Sequence, residues 1–166
     1  MLSRIYGEFW NPDVVDWGRR GPGNRGTLPG KIKTRSGRTR EVDFWDVRGV
    51  YALYDDFKLV YAGQVFDRAL GARLRNHLTD RFAGRWDMFS WYGTSSLRET
   101  TVRVPGARQV EPSEVINTLE ALAIALTDPP LNRRHNQIPG ARLVQQVKSP
   151  HPHTIRHYLE EILKKL

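Results

Sequence analysis

The 166-residue chain contains no cysteine. That absence removes disulfides, thiolate nucleophiles and cysteine-ligated zinc, leaving carboxylates and imidazoles as candidate metal ligands. Any catalytic metal is therefore expected to be a hard, oxygen-preferring cation. Long apolar runs are also missing. Nothing approaches the roughly 20 residues needed to span a bilayer, and Met1-Leu2-Ser3-Arg4-Ile5-Tyr6 lacks the apolar centre of a signal peptide. The expectation is a cytoplasmic protein with no membrane partner. No internal repeat is visible, and one long stretch, between Asp16 and Glu41, holds no acid at all.

What fills the chain is aromatic and basic. Hydrophobic residues make up 39%, with five Trp, six Tyr and six Phe, enough for one domain with a proper core. The net charge is +8, and the acid-free stretch accounts for all of it through Arg19, Arg20, Arg25, Lys31, Lys33, Arg35, Arg38 and Arg40. Because the same stretch is rich in glycine, it is expected to be a mobile arm or long loop rather than a regular element. A solvated linker is the ordinary reading of such a run, and a polyanion-binding arm the alternative. Gly21-Pro22-Gly23 is no phosphate-binding loop, since no strand leads in and no apolar helix follows.

Periodicity predicts an α/β (α+β) order of strand, strand, helix, strand, helix. Residues 1–17, with Tyr6, Phe9, Trp10 and Trp17, are too apolar for a free tail and are expected to dock on the core. Arg48 to Tyr54 alternates as a strand, Asp55-Asp56 makes a turn, and Lys58 to Gly63 returns, which brings Tyr51 near Tyr61. Asp67 is the expected N-cap of a helix whose buried stripe is Leu70, Leu74 and Leu78, with Arg73 and His77 sharing a face beside it. Met88 to Gly93 reads as a central strand and Thr101 to Val104 as a weaker one. A mostly apolar helix begins near Pro112, runs through Val115, Ile116, Leu119, Leu122, Ala123 and Leu126, and stops at Pro129-Pro130. Arg142 to Lys148 is ambiguous between strand and helix. His153 to Leu166 is an amphipathic helix with Lys164 and Lys165 in its last turn.

Two phenols, a guanidinium and an imidazole converging on one place suit phosphodiester hydrolysis. Singly, Tyr51 and Tyr61 are ordinary strand residues, Arg73 a solvated helix residue and His77 a structural histidine. Together, Arg73 can hold a phosphoryl oxygen through its fork and His77 can relay a proton near neutral pH. Glu120 is the only charge between Glu114 and Asp128. An unpaired carboxylate in so apolar a helix is costly unless it reaches water, a cation or a metal, so either a metal ligand or a residue rolled to the solvent edge is expected. Asn132 alone would pass as a loop residue. His151-Pro152-His153 is a weak metal pair, because no further spaced ligand accompanies it.

In this order the residues resemble the GIY-YIG nuclease superfamily, whose two motifs stand here as Gly49-Val50-Tyr51 and Tyr61-Ala62-Gly63, each substituted at the middle position. Arg73 and His77 on the first helix, Glu120 on a later one and Asn132 after it follow in family order. The resemblance covers roughly residues 48–135. Residues 1–47, with the basic arm at 19–40, then form an N-terminal extension, and residues 136–166 a C-terminal one ending in the amphipathic helix. It implies a small, mainly antiparallel three-stranded sheet flanked by helices, and cleavage of DNA by an endonuclease using one divalent metal, magnesium or manganese, held by Glu120. Tyr51 would be the general base, helped by Tyr61 or His77, while Arg73 would hold the scissile phosphate and Asn132 would support the site by hydrogen bonding. A restriction, mobile-element or host-defence enzyme is the expected type. The alternatives are a structure-specific nuclease for branches or flaps, and a non-catalytic nucleic-acid-binding module of the same fold. The C-terminal helix docks on its own core or provides a homodimer contact.

Overall fold

The computed structural model describes residues 2–19, 21, 23–34, 36–98, 101–103, 110–128, 138, 140–150 and 154–164. In chain order the strands are β1 (Ile5–Trp10), β2 (Asp16–Gly18), β3 (Arg25–Thr27), β4 (Pro29–Lys33), β5 (Thr39–Asp43), β6 (Gly49–Asp55), β7 (Lys58–Val65), β8 (Met88–Gly93), β9 (Ser96–Arg98), β10 (Thr101–Arg103), β11 (Arg142–Leu143) and β12 (Gln145–Gln146). The helices are α1 (Leu70–His77), α2 (Pro112–Thr127) and α3 (Ile155–Leu163). The protein is thus a strand-rich α/β mixture with several antiparallel sheets. No helix among the described residues is long and apolar enough to cross a membrane.

The hairpin β6–β7 is the spine. Tyr51 pairs with Gly63 and Leu53 with Tyr61, so these four residues share one face. The turn falls one residue later than expected. Asp55 is still paired with Lys58, and Asp56 and Phe57 turn the chain with φ of 47° and 61°. Positive φ at both turn residues matches the twist of the flanking strands. On its other edge β6 pairs with β8, which lies between β6 and β1.

The main sheet is wider than the three strands expected. Among the described residues its order is β11-β1-β8-β6-β7, with β1 and β11 parallel and the other pairs antiparallel. The cause is the aromatic N-terminus: β1 covers the edge that β8 would otherwise expose and buries Trp10 against Phe44, Phe89 and Trp91, with ring centroids 6.4, 5.9 and 5.4 Å away. Residues 142–148, ambiguous by pattern, supply the short strands β11 and β12.

The basic stretch is not a mobile arm. It folds into β3, β4 and β5, and β4 is hydrogen-bonded between β5 and β12. Leu28, Ile32 and Val42 are buried there and anchor the stretch to the core. Asp43 fastens it from within: Oδ1 accepts the backbone N–H groups of Leu28 and Trp45, each at 2.9 Å, and Oδ2 accepts from Arg25.

Helix α1 also begins differently from the expectation that Asp67 caps it. Its N-cap is Ala69, which makes no side-chain capping bond. Instead the amides of Leu70 and Gly71 donate to the carbonyls of Val47 (3.2 Å) and Trp45 (3.0 Å), so the preceding segment satisfies the first turn. Leu70, Leu74 and Leu78 are buried as the stripe requires. Helix α2 starts with Pro112 in its first turn and ends at a left-handed Asp128 (φ 41°); Pro129-Pro130 lie outside the described residues. Helix α3 docks on the chain's own core. Tyr158 is buried, and its hydroxyl donates to the carbonyl of Gly18 in β2.

Gly71 lets α1 approach Trp45: a Cβ there would lie 2.1 Å from the indole. Helix propensity alone would make Gly71→Ala stabilising by about 1 kcal/mol. The contact reverses the sign, and a loss of about 1–3 kcal/mol in urea unfolding is expected.

Candidate active site

One face of the main sheet carries Tyr51, Leu53, Phe89 and Trp91 against α1, and the opposite face carries Tyr6 and Tyr92 against α2. Alternation along β6 and β8 produces this division, because Tyr51 pairs with Trp91 and Val50 with Tyr92.

Four of the expected residues meet on the α1 face. The Tyr51 hydroxyl is 2.7 Å from His77 Nε2 and accepts a hydrogen bond from Arg73 Nε at 3.2 Å. Tyr61 completes the group, its ring centroid 6.0 Å from that of Tyr51 and 5.5 Å from that of His77. Strand pairing is the reason. Tyr61 opposes Leu53, so its ring lies on the same face as Tyr51, and Gly63 opposes Tyr51 itself. A Cβ on Gly63 would lie 2.5 Å from the Tyr51 hydroxyl, so the last residue of the second motif must be small for Tyr51 to take this position.

His77 is wholly buried, and its second nitrogen is bound as well: Nδ1 is 2.7 Å from Asp80 Oδ2. Asp80 was not among the residues singled out from the sequence. The signal was its three-residue spacing from His77 at a helix end, which has meaning only once the imidazole is known to be buried. Phe82 closes the group, with its ring 4.6 Å from Tyr61 and 5.0 Å from His77.

The electrostatics follow from this burial. Desolvation pushes the Tyr51 phenol up to about 12, while the hydrogen bond and charge of Arg73 act in the opposite direction. Burial lowers His77 below its ordinary value, opposed by Asp80 and reinforced by the charges of Arg73 and Arg81. Arg73 is held more firmly protonated, first by its bond to Tyr51. At neutral pH the cluster therefore holds a neutral imidazole, a protonated phenol and a guanidinium.

The other expected residues are not part of this group. Glu120 is exposed on α2, a helix that packs through Ala121 and Leu122 against Tyr6, Tyr92 and Ile138 on the far face of the sheet. Among the described residues it makes no hydrogen bond or ion pair with the cluster. Asn132 lies outside the described residues, as do Arg20, Arg35 and the pair His151 and His153. The carboxylate joined to the cluster, Asp80, has both oxygens engaged, by His77 and by the Phe82 amide at 2.8 Å. Among the described residues no group of three His, Asp or Glu side chains is arranged to hold a metal.

The basic residues divide. Arg25 is committed to Asp43 at 2.5 Å and Asp46 at 2.8 Å. Arg19 is exposed after β2, and Lys31, Lys33, Arg38 and Arg40 are exposed on the β4–β5 hairpin or its tip. Arg75, which the sequence reading passed over, donates to the carbonyls of Arg19 and Asn24 at 3.2 Å and lies over the Trp45 ring. It ties α1 to the β2–β3 turn.

Comparison of the chain with protein-family models, curated proteins and solved structures gives no match.

The depressed His77 has a consequence for stability. Its folded form resists protonation, so the unfolded chain binds more protons below the ordinary histidine value of 6.5. The contribution is fully present above that value and is lost as pH falls through the folded one. Urea unfolding followed between pH 7.5 and 5 is expected to show falling stability below pH 6.5, with a shallower fall in His77→Gln.

Proposed function

We propose that this protein is a DNA endonuclease that hydrolyses phosphodiester bonds at the Tyr51–Tyr61–Arg73–His77 cluster. The observation that carries the reading is the position of the Tyr51 hydroxyl, bound at once to a guanidinium and to a buried imidazole. A phenol raised to about 12 is a poor base by itself. Passing its proton to His77 while Arg73 stabilises the phenolate makes it competent to take a proton from an attacking water. Arg73 is half-buried, and its remaining nitrogens are suited to a phosphate oxygen, where they would offset the charge that develops on hydrolysis. Tyr61 lines the same group and would position the water or the phosphate.

A divalent cation, magnesium or manganese, held by Glu120 belongs to the proposal through the GIY-YIG resemblance; the cluster itself offers no uncommitted carboxylate, and no step above runs through a metal. The placement of Glu120 beyond the sheet favours a second reading, a nucleic-acid-binding module that keeps the fold without cutting. Under either reading the partner is DNA, met in the cytoplasm. A single centre nicks one strand, so double-strand cleavage requires a homodimer or two successive events.

The β4–β5 hairpin is the proposed DNA-binding surface, the basic part of the small sheet in which β4 also pairs with β12. Lys31, Lys33, Arg38 and Arg40 are its phosphate-binding candidates, and Arg25 is excluded by its two carboxylates. Replacing all four by alanine is expected to weaken binding to a duplex and to flatten the slope of log affinity against log salt by about 3 to 4. Arg25→Ala should leave that slope unchanged while lowering thermal stability. Equal slopes for wild type and the fourfold variant would remove the hairpin from the interface.

Cleavage of supercoiled plasmid tests the activity, with magnesium, manganese or chelator. Wild type is expected to nick or cut only with metal, Tyr51→Phe to lose about 10²- to 10⁴-fold, and Arg73→Ala and Glu120→Ala to be inactive while still binding DNA. Full activity of Tyr51→Phe would refute the chemistry, and full activity of Glu120→Ala the metal assignment. Tight binding by wild type without cleavage of plasmid, branched DNA or flaps would favour the binding module.

A further inference from the structure

We propose that Asp80 is a positioning residue that fixes His77 as the Nδ1–H tautomer and thereby aims the Nε2 lone pair at the Tyr51 hydroxyl, forming a Tyr51–His77–Asp80 relay. Its consequence for catalysis rests on the nuclease reading; the tautomer assignment does not.

Only one arrangement of protons satisfies the network. A carboxylate only accepts, so the 2.7 Å contact with Asp80 Oδ2 requires the proton on His77 Nδ1. A neutral imidazole carries one N–H, which leaves Nε2 as the acceptor. Across from it, the Tyr51 oxygen already accepts from Arg73 Nε, which has no lone pair to offer, so the hydroxyl proton is available to Nε2 at 2.7 Å. In the other tautomer Nε2–H and Arg73 Nε–H would both point at the Tyr51 oxygen, and Nδ1 would face a carboxylate lone pair to lone pair. Water cannot relieve this conflict, because His77 is fully buried.

Asp80 is itself held in place. Its amide donates to the Asn76 carbonyl at 3.0 Å, and Oδ1 accepts from the Phe82 amide at 2.8 Å, which keeps Oδ2 turned toward His77. The charged and titratable groups facing the imidazole are Tyr51 from β6, Tyr61 from β7, Arg73 from α1, and Asp80 and Arg81 after it. When the phenol proton moves to Nε2, the Nδ1 proton stays in place. The imidazolium then sits against Asp80 and the phenolate against Arg73, so each new charge meets its opposite. Asp–His pairs orient the base in hydrolases of unrelated folds by this same logic.

The test uses the full chain. Long-range proton–nitrogen NMR on ¹⁵N-labelled wild type, with His77 assigned by His77→Gln, should show a protonated-type Nδ1 and a pyridine-type Nε2 at pH 7.5. Asp80→Asn has one carbonyl oxygen where aspartate uses two, and Asp80→Ala has none; both should mix or invert the two nitrogen signals while still unfolding cooperatively. On plasmid, Asp80→Asn should lower kcat about 10²-fold or more with KM within about twofold, and Asp80→Glu should recover part of the loss. The acidic limb of its pH profile should move to lower pH, because the imidazole has lost the anion that favours its protonated form. A purely structural role would move none of these. Nε2–H in wild type, or unchanged nitrogen signals in both variants, would overturn the proposal. The expected tautomer in a wild type that cuts no DNA would support the assignment and refute the nuclease reading.

Discussion

Burial of the His77 imidazole between the sheet and α1 is the constraint around which this structure is arranged. An imidazole at 0% exposure must find partners for both nitrogens inside the protein, and the partners come from different places: Tyr51 from β6 and Asp80 from the turn after α1. Satisfying both fixes the position of α1 relative to the hairpin. The Tyr51 ring then needs room on β7, which explains Gly63, and α1 must sit close to the segment after β5, which explains Gly71 against Trp45. Two glycines, one in a short motif and one in a helix, thus follow from a single buried side chain and its two hydrogen bonds.

Much of the fold was legible because local pattern and tertiary environment agree. The alternation of β6, the aromatic-rich run of β8 and the Leu70, Leu74 and Leu78 stripe each mark residues that are buried. What was misread depends on partners distant in sequence. The basic arm has few apolar anchors, Leu28 and Ile32 with Val42 just beyond it, separated by glycine and charge, and its strands exist because Asp43, Phe44 and β12 hold them in place. The first turn of α1 is satisfied by carbonyls of residues 45 and 47, so Asp67 is not needed as a cap. The hairpin turn moved by one residue because Phe57 adopts positive φ, an uncommon state for a bulky side chain that no sequence rule selects.

The charge pattern gives a similar lesson at the candidate interface. A count of Lys and Arg locates an electropositive segment, but folding assigns the cations different work. Arg25 is absorbed by two aspartates, and Arg75, outside the acid-free stretch, holds backbone carbonyls around the β2–β3 turn. Lys31, Lys33, Arg38 and Arg40 stand on a hydrogen-bonded hairpin rather than a tether. A paired ribbon keeps its charges at fixed spacing and has little conformational entropy to lose on binding, whereas a mobile arm would have to be ordered at the moment of contact.

The division of the sheet into two faces weighs most on the chemistry. Transfer at one phosphorus requires base, phosphate-binding cation and any metal ligand within the span of a single phosphate group, because proton abstraction and charge stabilisation act at hydrogen-bond range. Tyr51, Tyr61, Arg73 and His77 meet this condition together, and Asp80 belongs with them through His77. Glu120 shares none of their contacts, since α2 is seated on Tyr6 and Tyr92 across the backbone of β6 and β8. Helix periodicity could place Glu120 beside an apolar stripe, but which sheet face that stripe would cover was decided by Tyr6 and Tyr92. The part of the site that stands on observed contacts is therefore a phenol, an imidazole and a carboxylate joined in series beside a guanidinium. In the proposed reaction the proton acceptor would be that imidazole, whose basicity burial lowers and the Asp80 carboxylate partly restores.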